Sequence, residues 1–397
     1  MSDMNEYKIV KITDLGTVNR GKSKHRPRND SILYGGEYPF IQTGDVKKAN
    51  LHLVDYTQTY NDVGLKQSKL WKKGTLCFTI AANIADSAIL GMDACFPDSI
   101  VGFLPYENVS DTTYVKYLFD ELKLYFQQIS KGTTQDNLSL DKICRVKLRV
   151  PDYDTQVKVA SILSTYDTAI ENNNKRIRLL EQMTENLYKE WFVRFRFPGY
   201  EDVEFEEKKP RGWQVGTEDK KHFAPTIFRY DEFGTIGSFV RGKNITAAQM
   251  IEGNIPVISA GLQPSGYHNE SNVFGENLTI SASGANAGYL QYNLNDIWAA
   301  DCSYYQDDAT IWFVYNTLKY LQPVISNLQC GAAQPHVYPK NINRLCILIP
   351  TEELIHKYND SVKPYYDEIK VLNQHNQLLT QQRDLLLPRL MSGKLEV

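Results

Sequence analysis

The sequence carries six cysteines, Cys77, Cys95, Cys144, Cys302, Cys330 and Cys346, but no CxxC pair, and its histidines do not cluster at metal-ligand spacing. A zinc site of the finger or ribbon type is therefore not expected, and the thiols read as buried side chains in a reducing compartment. No run of about 18 apolar residues is present, so no membrane-spanning helix is expected. The first ten residues are polar and lack the apolar centre of a secretion signal. Both absences point to the cytoplasm. Catalytic signatures are missing as well. There is no GxSxG nucleophile motif, no cofactor loop, and no NPPY-like tetrapeptide of the kind an adenine methyltransferase would need. Asp45, Val46 and Lys47 make a D-x-K tripeptide, yet no proline–aspartate pair precedes it as a nuclease would require. The chain is expected not to be an enzyme, to hold no metal and to bind no cofactor itself.

A strong positive excess is also lacking. Lys and Arg number 44 against 47 Asp and Glu, a net charge of −3, whereas a free-standing DNA binder is usually basic. The distribution is uneven. Arg20, Lys22, Lys24, Arg26 and Arg28 form a dense basic run, followed by Lys47, Lys48, Lys66, Lys69, Lys72 and Lys73, while acids gather between Glu201 and Glu207. Such a run is either a solvated face or a strip that contacts phosphates. With 397 residues, 42% of them hydrophobic, the chain can build two or three packed domains.

The most informative feature present is a long internal repeat. GTTQDNLSLDKICRVKLRVP at 132–151 aligns with GAAQPHVYPKNINRLCILIP at 331–350, at an offset of about 199 residues. Gly132/Gly331, Gln135/Gln334, Ile143/Ile342 and Pro151/Pro350 coincide. Upstream, LGTVNRGK at 15–22 matches IGSFVRGK at 236–243, and YPFIQTGD at 38–45 roughly matches NIPVISAG at 254–261. The offset drifts there, as loops of unequal length require. A period this long is no solenoid; it marks a duplicated unit of globular domain plus helix.

Each copy runs into a helical pattern. From about Thr155 to Arg194, Leu163, Tyr166, Ile170, Asn173, Ile177, Leu180, Thr184, Leu187 and Trp191 recur at steps of three and four, a heptad seam. The second seam is Val362, Tyr365, Ile369, Leu372, Asn376, Leu379, Arg383, Leu386 and Leu390, with Pro364 predicting a late start or a kink and Gly393 a C-terminal stop. Asn173 and Asn376 either fix the register or sit on a wet edge. Joined through a whole globular domain, the helices can pair as an antiparallel coiled coil. A seam of about 28 residues spans roughly 42 Å, near one turn of B-DNA or slightly more, so the rod can act as a ruler between two heads.

Both heads read as α+β. In the first, KIVKI, YPFIQ, TLCFTI and AILGMDACF have strand character and YVKYLFDELKLYFQQI is an amphipathic helix; in the second, NIPVIS, NLTISAS, GYLQY and ATIWFVY read as strands and TLKYLQPVISNL as the helix. The expected boundaries are 1–152 for the first domain, 153–196 for the central helix, 197–232 for a linker, 233–350 for the second domain and 351–397 for the C-terminal helix. The candidate DNA contacts are Arg20, Lys22, Lys24, Arg26, Arg28, Lys47, Lys48 and Gln135 in the first half, and Arg241, Lys243, Asn286 and Gln334 in the second. SASGANAG at 281–288, which holds Asn286, is alternatively an ordinary tight turn, and Gln135 and Gln334 alternatively belong to a structural one. Loops that differ between the heads would read different half-sites, giving a bipartite, non-palindromic target.

The segment ILSTYDTAIENNNKRIRLLEQMTENLYKEWFVRF at 162–195 resembles the central conserved region of specificity subunits of Type I restriction–modification systems. The resemblance rests on Leu163, Asp167, Ile170, Asn172, Asn173, Leu179, Leu180, Gln182, Leu187, Trp191 and Phe192, on RLMSGKLEV at the C-terminus, and on KKPRGW at 208–213 as an entry to the second domain. It covers essentially the whole chain. It departs from the family where a Glu–Gln pair often follows the proline: here stand Thr155 and Gln156, then Leu354 and Ile355. The resemblance implies two target recognition domains held apart by the helices, which also dock two modification subunits carrying S-adenosylmethionine, with restriction subunits completing the assembly. The docking and coiled-coil residues would be Leu163, Ile170, Ile177, Leu180, Leu187, Trp191, Ile369, Leu372, Leu379, Leu386 and Leu390. A coiled-coil interaction scaffold without sequence-specific DNA binding is the alternative; salt-sensitive binding to DNA separates the two.

Overall fold

The computed structural model describes residues 7–131, 138–208, 222–328 and 335–397. Gln135, Gln334, Trp213 and Cys330 lie outside the described residues. The chain divides into two compact units, Met1–Lys175 with Asn373–Val397, and Arg176–Leu372. Each therefore contains one globular head and a stretch of both long helices.

The duplication is visible strand by strand. In the first unit Lys8–Val10 pairs antiparallel with Leu148–Val150; in the second Arg229–Glu232 pairs with Cys346–Ile349. A sheet ordered Gly16–Arg20, Ile100–Pro105, Leu76–Thr79, Ser87–Leu90 in the first unit is matched by Val240–Arg241, Cys302–Tyr305, Asn277–Ser281, Leu290–Asn293 in the second. A second sheet runs Gln58–Tyr60, Tyr34–Phe40, Ala94–Cys95, matched by Gly266–His268, Ile255–Ile258, Trp298–Ala299, with the last pairing parallel in both. The first unit adds edge strands His52–Leu53 and Leu70–Trp71 and a helix, Thr43–Lys48.

Helices Thr112–Glu121 and Lys123–Ser130 follow the sheets in the first head, and Ile311–Tyr320 and Gln322–Asn327 in the second. This corrects the expectation that ATIWFVY is a strand. Its β-branched and aromatic residues have strand propensity, but Ile311, Trp312, Phe313 and Val314 are all buried, so burial on every side replaced any helical periodicity. Asp307 accepts from the Thr310 hydroxyl and the Ala309 amide ahead of the first turn, which favours a helix start. The segment expected as a linker is also partly ordered: Phe205–Lys208 pairs with His222–Pro225, and Arg229–Glu232 is the first strand of the second head.

The central helix runs Tyr153–Tyr188 and ends in a π-helical turn, Lys189–Val193. Asp152 caps it by accepting from the Thr155 amide at 2.8 Å. The C-terminal helix runs uninterrupted from Glu352 to Met391, so Pro364 neither delays nor ends it. Pro364 and Asp360, whose carbonyl loses its intrahelical donor, are both exposed, and solvent can satisfy that carbonyl. Gly393 adopts φ +72° beyond the helix, as a C-terminal stop demands.

The helices pair antiparallel within each unit. In the first, the Asn173 amide donates to Asn376 and the Asn376 amide to Asn174, both at 2.9 Å, and Leu163, Ile170 and Leu390 are buried further along the same two helices. In the second, Trp191, Val362, Ile369 and Leu372 are buried and Ile177, Leu180 and Leu187 pack against the core. Leu379 and Leu386 are half-buried. The seam departs from the expected register at two turns: Asp167 and Tyr366 face inward, while Tyr166 and Tyr365 are only half-buried. An apolar pattern passes over Asp167 because a charge belongs inside only with partners, and those partners come from outside its own helix.

Candidate nucleic-acid interface

The RGK motif occupies the same place in both heads. Arg20 ends the strand that pairs with Val101, and Arg241 the one that pairs with Ser303. The glycine that follows turns the chain against the neighbouring strand: the Gly21 amide donates to Ile100 and Lys22 to Phe96, as Gly242 donates to Cys302 and Lys243 to Ala299. A Cβ on Gly21 would lie 2.3 Å from the Pro97 carbonyl oxygen, and one on Gly242 2.6 Å from that of Ala299. Only glycine permits that approach.

Beyond the motif, the first head's basic loop is tied down by polar side chains. Gln67 accepts from the amides of Lys24 (2.6 Å) and His25 (3.0 Å), and Ser68 donates to the Lys22 carbonyl. Lys22, Lys24, Arg26 and Arg28 all remain exposed. They are not equivalent. Arg28 pairs with Asp98 at 2.6 Å, and Arg26 folds back to donate to the carbonyls of Ser23 and His25. Arg20, Lys22 and Lys24 form no side-chain ion pair among the described residues, so the structure leaves three cations of the run available to phosphates.

Lys47 and Lys48 stand apart from that run, on the helix Thr43–Lys48. Lys47 lines a cleft with Asn83, Lys123, Gln127 and Lys131, and Lys123 is paired with Asp86. Sequence reading missed Asn83, Lys123 and Lys131. For Asn83 the available signal is its place in the repeat, since residues 81–86 match the SASGANAG loop; Lys123 and Lys131 lie outside that loop and carry no such signal. The match is geometric. Thr79 and Ser281 each exchange backbone hydrogen bonds across the loop, and positive φ falls at Ala82 and Ala85 in one head and at Gly284 and Gly288 in the other.

In the second head the loop joins the RGK turn through Asp301. Arg241 and the Ser283 hydroxyl both donate to the Asp301 carboxylate. Asn286 donates to the Ala260 carbonyl at 3.3 Å, and the Lys243 ammonium lies over the Trp298 ring. Arg241, Lys243 and Asn286 are thus gathered around one loop cluster. The gathered groups are an amide, a hydroxyl, a carboxylate and two cations, compared with the lysine-rich first head.

A buried polar joint ties each head to the helices. In the first unit the Tyr117 hydroxyl and the Arg383 guanidinium both donate to Asp167, which is fully buried. Burial, then the neighbouring carboxylate, pushes the Tyr117 phenol well above its ordinary range. In the second unit the Asn316 amide donates to the Tyr366 hydroxyl at 2.9 Å, and Thr184 bonds the same hydroxyl at 3.1 Å. Tyr366 stacks on Trp312 with ring centroids 3.7 Å apart.

No group of three or more His, Cys, Asp or Glu is placed to hold a metal among the described residues, and no helix there is long and apolar enough to cross a membrane.

Tandem heads of one topology, each followed by a long helix, make this a duplicated two-domain protein with a basic turn repeated in both halves. Residues 4–182 and 226–381 match the family described as the Type I restriction modification DNA specificity domain, and the chain belongs to that family. It is 26% identical over 416 residues to the Type I restriction enzyme MjaIX specificity subunit of Methanocaldococcus jannaschii, covering 99% of this chain and 94% of that one. It is 24% identical over 474 residues to the HindI specificity subunit of Haemophilus influenzae, covering 100% of both. The crystal structure of the Type-I restriction-modification system S subunit from M. genitalium shares the fold, with a TM-score of 0.57, 15% identity, and coverage of 98% of this chain and 97% of that one. The chain is a specificity subunit of a Type I restriction–modification system, and a scaffold without sequence-specific DNA binding is not favoured.

Proposed function

We propose that the two heads read the two unlike halves of a bipartite, asymmetric DNA site, and that the chain performs no chemistry of its own. The observation that carries this reading is the duplicated topology with unlike loops: the same turn holds Arg20 beside lysines in one head and Arg241 beside Asp301, Ser283 and Asn286 in the other. Equal scaffolds with unequal edge chemistry suit unequal half-sites. Cations of the basic run would grip phosphates and set the position on the duplex, and the loops would read base edges.

Methylation would come from two modification subunits that bring S-adenosylmethionine, and cleavage from restriction subunits, all acting in the cytoplasm. The seam leucines are buried or half-buried within the chain, whereas Leu179 and Met183 on the central helix and Leu378 and Leu385 on the C-terminal helix are exposed. These four are the most exposed of the helices' large apolar residues and would help dock the modification subunits. The paired helices would set the gap between half-sites.

Methylome sequencing of a host expressing this chain with its cognate modification subunits tests the reading. The expected result is a two-part adenine-methylated motif with a fixed gap, lost when this chain is deleted. Unchanged methylation, with the modification subunits shown to be active, would refute it.

A further inference from the structure

The two repeat-related arginines differ in one neighbour. Ile80 donates its amide to the Ser99 carbonyl in the first head, and Ala282 donates to the Asp301 carbonyl at the matching point of the second. Ser99 and Asp301 therefore hold equivalent positions beside Arg20 and Arg241. Arg241 is bound to the Asp301 carboxylate, whose other oxygen is held by Ser283. Arg20 has no acidic partner among the described residues. The Arg241 side chain is 41% exposed, and the rest of its fork makes no other hydrogen bond among them.

The consequences for DNA are opposite. A phosphate contact gains from an unpaired charge, because neutralising the backbone releases a counterion. A guanidinium already neutralised by a carboxylate has little of that gain to offer. What it keeps is direction: a fixed planar fork, with its rotamer already ordered, matches the paired O6 and N7 acceptors of guanine.

We propose that Arg241 reads a guanine in the major groove of one half-site, with Asp301 and Ser283 as its positioning residues, and that Arg20 holds a phosphate. The proposal rests on the bipartite-reading function above. The test is selection from a randomised duplex DNA library by the full chain assembled with its modification subunits, followed by affinity measurements across a salt series. If the unaltered complex returns no two-part motif, the specificity reading itself fails, whatever Arg241 does. Given a motif, Arg241→Lys and Asp301→Asn are each expected to relax the same single G·C position in one half only, and Arg241→Lys, which keeps the charge and its carboxylate, to leave the salt slope unchanged. Arg20→Ala is expected to keep the motif and lower the slope of log affinity against log salt by about one. Ser283→Ala, a milder change, covers the case in which Asp301→Asn does not fold, and should relax that same position. Retention of every base preference by Arg241→Lys, or a slope that falls as it does for Arg20→Ala, would overturn the proposal.

Discussion

Tyr366 follows Asp167 by 199 residues, and the two occupy the same inward position of the repeat, one a carboxylate and the other a phenol. Their partners are related by the same offset, crosswise. Tyr117 corresponds to Asn316, and Arg383, on the C-terminal helix, corresponds to Thr184 on the central one. Each joint therefore takes one residue from the head and one from each long helix, and an ionic joint at one head has become a neutral joint at the other.

The ionic joint is expected to be the more fragile to single changes. Arg383→Met would leave a fully buried carboxylate without its cation, at a cost of about 3–5 kcal/mol. The triple variant Tyr117→Asn, Asp167→Tyr, Arg383→Thr copies the neutral joint and should recover most of that loss. Urea unfolding followed by hydrogen exchange in the segment around 112–121 checks both; an unchanged midpoint for Arg383→Met would refute the role assigned to the pair.

The start of the central helix should depend on pH. The Thr155 amide, the largest influence, holds the Asp152 carboxyl below the usual aspartate range. A depressed folded pKa contributes stability that is complete above the unfolded value of about 3.9 and is lost as pH falls through the folded one. Asp152→Ala should cost about 1 kcal/mol at neutral pH and progressively less below about pH 4. Thermal unfolding across an acid series would show the difference, and a constant gap between the two proteins would argue against the cap.

Matched loops should respond oppositely to matched substitutions. Ala82 and Ala85 sit at φ 60° and 66°, where Gly284 and Gly288 sit at 75° and 87°. Ala82→Gly should stabilise the first head by about 0.5–1 kcal/mol, because glycine carries no penalty in the left-handed region. Gly284→Ala should destabilise the second by about 1 kcal/mol through the backbone alone, since a Cβ there meets no atom within 4 Å. Denaturant midpoints of the two variants check the signs.

Arg26 should act through its loop. Its guanidinium donates to the carbonyls of Ser23 and His25 at 2.8 Å, so it is already engaged in holding the basic run. Arg26→Ala is expected to weaken binding to all duplexes alike, with the methylated motif unchanged. Relaxation at a single base position would show instead that Arg26 reads that base.

The duplication, the two helices and their seam were legible in the sequence because heptad spacing and a fixed offset are properties of the chain itself. Asp167 carries part of the family likeness, yet its place in the seam is not legible, since its partners Tyr117 and Arg383 are supplied by distant segments that no local pattern connects. ATIWFVY failed for a related reason: residues buried on all sides show no period by which helix and strand can be told apart. Asp301 is not legible in the sequence, because nothing marks an acidic residue in the bend just ahead of a strand as the anchor of an arginine some sixty positions earlier. That pairing follows from the sheet order, in which the Cys302–Tyr305 strand lies between Val240–Arg241 and Asn277–Ser281.

The crosswise joint also constrains inheritance. A recognition head imported from a relative by recombination brings its own residue at the position of Tyr117 or Asn316, while the helices stay behind. An asparagine imported opposite Asp167 and Arg383 would face a charged pair; a tyrosine opposite Tyr366 and Thr184 would meet a second phenol. Exchange of a whole head is therefore expected to be best tolerated from donors whose long helices carry the matching residues, at the positions of Asp167 and Arg383 for the first head and of Tyr366 and Thr184 for the second. One side chain on the head's own helix, outside the candidate base-reading loops, would act as the compatibility key.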